Sequence, residues 1–165
     1  MIHDKYHMIA NLITATERVR RRSHRSSHDS EVAEDRRAHR RSGDPHYLGY
    51  FDCFNRQEFY ETHDVLEELW LAGGKSASND AFHKGLIQLA GAVVHLQKDR
   101  LQPAVSLFSL ADNNLLQYPA IHNGIDLTGV LGLIDDWRGR VGKDPGAPNP
   151  LRSGPPPRLV LPTVA

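Results

Sequence analysis

His63, Glu67 and Trp70 follow one another at intervals of four and three residues, so on an α-helix all three share one edge. An imidazole and a carboxylate one turn apart can share a proton, orient each other by a hydrogen bond, or offer two ligand atoms to a divalent cation. A second set, Lys84, Gln88 and His95, is spaced by four and seven residues with Gly91 between, and forms one polar line on a later helix. If the two helices pack with these edges facing, His63, Glu67, Gln88 and His95 come within side-chain reach. Three chemistries then compete. The first is a buried His/Glu/Gln hydrogen-bond network that includes Lys84 and has Trp70 as packing. The second is a metal site with His63, Glu67 and His95 as ligands. The third is an acid/base pair made by His63 and Glu67. The residues provide no second Glu-x-x-His motif and no nucleophile with a local partner. The leading expectation is therefore a non-catalytic interaction or structural module that needs no cofactor. The alternative is a metal-binding or metal-dependent enzyme holding a divalent transition metal.

These residues require helices to position them. Over 55–70, Phe59, Thr62, Leu66, Leu69 and Trp70 fall on one side at 100° per residue, and Glu61, Asp64 and Glu68 on the other. Asn55, with Glu58 three residues on, predicts a capping box that starts this helix, and Gly73-Gly74 a stop near Ala72. From 80 to 98, apolar residues extend almost all the way round, which predicts a central, buried helix whose narrow polar stripe must find partners. Asp44-Pro45 and Gln102-Pro103 read as helix starts, because proline at the first helical position gives up no needed amide. Asp126 reads as the cap of a last helix, and no strand alternation is visible. The expected fold is all-α, a single bundle of about five helices over 44–141.

Composition limits the rest. The chain has 165 residues, about one domain, and a formal net charge of zero. The charge is unevenly placed. Residues 1–43 carry ten Lys/Arg against six Asp/Glu, an Arg/Ser/His-rich arm with too few apolar residues to bury a face, expected to be a marginal helix or disordered. Asp29, Glu31, Glu34 and Asp35 between its arginine clusters, and the lack of stacking aromatics there, argue against a nucleic-acid arm. A lone Cys53 excludes an internal disulfide and suits a reducing cytoplasm. No apolar run reaches the roughly 20 residues of a membrane span. The Pro/Gly-rich stretch 142–165 reads as an unpacked tail.

The ordered set Phe54-Asn55, Phe59-Tyr60-Glu61, His63-Asp64-Val65-Leu66-Glu67-Glu68, Trp70, Gly85-Leu86-Ile87-Gln88, His95 and Gly124-Ile125-Asp126-Leu127 resembles the bacterial domain of unknown function 309 family. The resemblance implies a small all-helical domain without an established activity, and places His63, Glu67, Trp70, Gln88 and His95 at motif positions. Lys84 departs from the family's usual glutamine, and Asp99-Arg100 from its usual Gly-Asn turn. Helix pairs of this length also resemble a tetratricopeptide-like unit, which implies a protein partner or a homodimer through a helix face.

Overall fold

The Asp44 carboxylate accepts from the backbone amides of His46 (2.8 Å) and Tyr47 (3.4 Å), and Pro45 opens the first helix, α1 (Pro45–Asn55). The computed structural model describes residues 44–72, 79–142, 144 and 146–163. The chain divides into two units, Met1–Glu34 and Asp35–Ala165, and the described residues all belong to the second. The arm 1–43, the Gly73-Gly74 stop and the turn through 75–78 lie outside them.

Beyond α1 follow α2 (Phe59–Ala72), α3 (Asp80–Gln97), α4 (Leu101–Leu115) and α5 (Leu127–Val141), with one turn of helix, α6 (Pro150–Ser153), in the later segment. Among the described residues these six helices leave room for only one small sheet. The span 44–141 thus holds the five helices its periodicity predicts. Each helix packs on the next, α1 on α2, α2 on α3, α3 on α4 and α4 on α5, as short connections require.

The helix α3 is the core. Phe82, Leu86, Leu89, Val93 and Leu96 are fully buried along it, each contributing about 1.5–3 kcal/mol of transfer free energy. Gly85 sets how closely α4 approaches. A Cβ built there would stand 2.7 Å from Leu115 Cγ and 3.3 Å from the Ala111 carbonyl oxygen, whereas at Gly91 the nearest atom is Leu107 Cδ1 at 3.3 Å. The glycine that permits close packing is therefore Gly85 rather than Gly91, and the neighbour that uses it is α4.

Three local expectations change. Asn55 is the last residue of α1 instead of the cap of α2. The turn after it is a Schellman motif, with Glu58 N bonding Cys53 O and Gln57 N bonding Phe54 O, and it places Gln57 at φ 66°. A small strand pair is present, β1 (Ile121–His122) against β2 (Ile125–Asp126), closed by Asn123 and Gly124 at φ 46° and 78°. The Asn-Gly pair is the strongest short-range hairpin signal. The strands it joins are two residues each, too short to show alternation. Asp126 does cap α5, accepting from Thr128 N (2.9 Å) and Gly129 N (3.3 Å).

The third change is the tail, which is tied down. Asn149 donates to Leu96 O (2.6 Å) and to Asp99 Oδ1 (2.8 Å). Arg152 reaches Gln97 O (3.0 Å) and both Asp99 oxygens. Asp99 stands at φ 54°, in a second Schellman turn where Arg100 N bonds His95 O and Asp99 N bonds Leu96 O. The resemblance noted above implies a glycine at this turn. A non-glycine residue in the left-handed region carries a conformational cost. The clip from Asn149 and Arg152 adds charge-assisted hydrogen bonds that offset it. The same partners hold the Asp99 carboxyl below its usual value.

Candidate functional site

Helix α2 turns Phe59, Thr62 and Leu66 fully inward and leaves Glu61 and Glu68 exposed, as its periodicity requires. His63 and Glu67 occupy the boundary between the two faces, their side chains 15% and 13% exposed. His63 Nδ1 lies 3.7 Å from Glu67 Oε2 and 3.5 Å from Asp64 Oδ1. Ligand atoms of His63, Asp64 and Glu67 all fall within 4.8 Å of one another. Asp64 is the residue that sequence reasoning assigned to the outer acidic face. Its carboxylate nonetheless stands beside the His63 ring, a placement that residue spacing does not specify.

Trp70, a further turn along, donates from Nε1 to Asp80 Oδ1 at 2.6 Å. This bond pins the end of α2 to the start of α3 and sets their relative height. From Trp70 back to His63 is about 10 Å of helix, and the same rise along α3 from Asp80 reaches Ile87 and Gln88. His95 lies about 12 Å further along α3 by that rise, and it is not among the donors of the His63 group.

The α3 stripe has its own partners. Gln88, only 5% exposed, accepts at Oε1 from Asn114 Nδ2 of α4 at 2.7 Å. Lys84 is buried on the same helix one turn earlier. His95 is half-buried in the last turn of α3, and burial, helped by the Arg100 charge, pushes its imidazole below the usual value. The sequence-derived residues are thus brought together in part. His63 and Glu67 meet each other, Gln88 meets α4, and Trp70 meets Asp80.

A second polar group, around the start of α3, was not anticipated. The Asn79 side-chain oxygen accepts from His122 Nε2 (2.7 Å) instead of capping α3, and Tyr118 Oη accepts from Phe82 N (2.9 Å). The His122 ring stands 4.7 Å from Phe82 and 4.6 Å from Tyr118 between centroids, and burial lowers its pKa. The only sequence signal was the aromatic and histidine content of 118–123, which carries no register.

An all-helical domain with a His/Asp/Glu cluster at the edge of one buried-face helix is the class the geometry defines. Residues 47–107 match the model of a family described as a domain of unknown function (DUF309). The span runs from α1 into α4 and contains His63, Asp64, Glu67, Trp70, Gln88 and His95. No curated protein matches the sequence.

Proposed function

We propose that the domain binds a divalent transition metal through His63, Asp64 and Glu67. The observation that carries this reading is the convergence of one imidazole and two carboxylates, within 4.8 Å of one another, on a single stretch of α2. An imidazole with carboxylates is a donor set suited to zinc, manganese or ferrous iron, and three protein ligands leave coordination positions open, as in sites where a metal meets a water or a substrate. The half-buried setting of His63 and Glu67 strengthens their charge interactions relative to bulk water. The competing expectation, a non-catalytic module built on one continuous polar network across α2 and α3, has less support. Gln88 pairs with Asn114, and His63 pairs with its neighbours on α2.

Metal content measured on the full chain after exposure to one equivalent of Zn²⁺ or Co²⁺ and dialysis tests the reading. The chain has ten histidines, five of them within 1–43, so the readout is the difference between the parent and His63→Ala rather than total metal. The expected result is one equivalent retained by the parent and lost in both His63→Ala and Glu67→Ala. Equal retention in parent and variants, or none in the parent, overturns it.

A further inference from the structure

Asn79 occupies the cap position of α3 without capping it. Its carbonyl oxygen accepts from His83 N at 3.1 Å, the first bond of the helix, yet its backbone stands at φ −115° and ψ 3° and its side chain takes none of the helix's amides. Asparagine is among the best helix caps, and its side-chain oxygen ordinarily accepts from the amide two or three residues on, here Ala81 or Phe82. The Phe82 amide donates instead to Tyr118 Oη at 2.9 Å, while the Asn79 oxygen accepts from His122 Nε2 at 2.7 Å. One helix end therefore has two caps within reach. The distant one is in place, and the local one is engaged elsewhere.

Both engagements depend on the segment 118–126. Its His122 ring packs on Phe82 and Tyr118, with centroids 4.7 and 4.6 Å away. Its turn is costly to keep, because Asn123 stands at φ 46° and its carboxamide is buried with no hydrogen-bond partner at Oδ1 or Nδ2. Bonds from Tyr47 Oη to Asn123 O (2.9 Å) and from Thr163 N to Gly124 O (2.8 Å) hold the turn against this cost.

A second proton on His122 charges a half-buried ring beside the start of an 18-residue helix, where the backbone dipole is positive. The titratable groups around it are Asp80 and His83 of α3, Tyr118, Asp126 of β2 and Tyr47 of α1. Asp80 is engaged by Trp70 Nε1 and Asp126 by the first amides of α5, a protonated His83 adds charge of the same sign, and the tyrosines are uncharged. Burial holds the docked ring below the ordinary value of 6.5, so the released ring binds the proton better and the docked form loses stability as pH falls below that value.

We propose that the His122–Asn79 contact is an acid-released latch. On protonation of His122 the 118–126 hairpin leaves the start of α3, Tyr118 goes with it, and Asn79 turns to take the Phe82 amide as the local cap. The helix end stays satisfied in both states, which lets the hairpin open without unfolding α3. The exchange involves none of His63, Asp64 and Glu67 and is independent of any metal there.

The test is NMR on the full, isotope-labelled chain between pH 7.5 and 5.0. The Asn79 Cα and Cβ shifts should move to the values of a capping residue with the same midpoint as the His122 ring. Protection factors at His122 and Ile125 should fall at least ten-fold while that of Phe82 holds. In Asn79→Ala, the Phe82 amide should stay protected at pH 7.5, where Tyr118 bonds it, and lose at least ten-fold at pH 5.0. His122→Phe, which keeps a ring but no titrating group, should abolish the pH response of Asn79. Asn79 shifts that ignore the His122 titration, a His122 ring still neutral at pH 5.0, or a Phe82 amide that stays protected at pH 5.0 in Asn79→Ala overturns the proposal. So does the same pH response in His122→Phe, or loss of protection throughout the chain at once, which is global unfolding. The parent titration and Asn79→Ala decide the matter even where His122→Phe does not fold.

Discussion

The two polar edges, one on α2 and one on α3, look equivalent as sequence and are used in opposite ways. On α2, His63 finds Asp64 and Glu67 within a single turn, and the group stays at the rim of the buried face with access to solvent. On α3, Gln88 sits inside the bundle and its partner, Asn114, is 26 residues away on α4. A polar group at a rim can be completed by neighbours on its own helix, by water or by an ion, whereas one in the interior must be completed by another element of the fold. The first arrangement leaves ligand atoms available for chemistry, and the second consumes them in holding two helices in register.

That contrast predicts a graded set of losses in stability. The largest belongs to Gly85→Ala, because the added methyl meets Leu115 and the Ala111 carbonyl and pushes α4 away from α3. Chemical denaturation should show a loss of about 2–3 kcal/mol, and Gly91→Ala a clearly smaller one. Equal losses would mean that Gly85 does not control the α3–α4 approach. Gln88→Leu comes next, at about 1–2 kcal/mol, from stranding the Asn114 amide. A double-mutant cycle with Asn114→Leu should recover part of that loss, and strict additivity of the two changes would show that the bond carries no coupling.

A smaller effect separates the regions by pH. Burial holds His122 and His95, at the two ends of α3, below the ordinary imidazole value of 6.5. As pH falls through about 6.5, the unfolded chain therefore takes up protons that the folded chain does not, so stability is full above that value and declines below it. The decline levels off once the lower folded-state values are passed. Thermal unfolding followed from pH 7.5 to 5.5 should show this slope, and His122→Gln should make it shallower. An unchanged slope in that variant would remove His122 from the account. The smallest effect is expected on α2, where Glu67→Gln weakens a helical pair worth about 0.2–0.5 kcal/mol, while the metal retention described above disappears. A loss of several kcal/mol in metal-free Glu67→Gln would place Glu67 with the interior group instead.

Local patterns in the sequence went far toward this fold. The Asp44 and Asp126 caps, the apolar face of α2 and the near-continuous burial of α3 each depend on residues within a turn or two of one another, and they appear where the patterns place them. The His63–Glu67 pair was legible for the same reason. Asn55 shows where this reasoning stops. Its type and position satisfy the rule for a helix cap, yet its amide holds Leu159, 104 residues further on. Asn149 and Arg152 likewise complete a turn around Asp99 that no neighbouring residue completes.

The sequence by itself determined the helices, their buried faces and one turn of ionisable residues on α2, because periodicity and capping are short-range and follow from the geometry of a single helix. Only the tertiary structure decided which partner each remaining polar group takes: Gln88 with Asn114, Trp70 with Asp80, Asn55 with the backbone of Leu159. A side-chain amide or an indole N–H can be satisfied equally well by many groups. Which one it meets depends on how closely α3 and α4 approach at Gly85 and on where residues 149–163 cross the domain, and neither is encoded in the spacing of neighbouring residues.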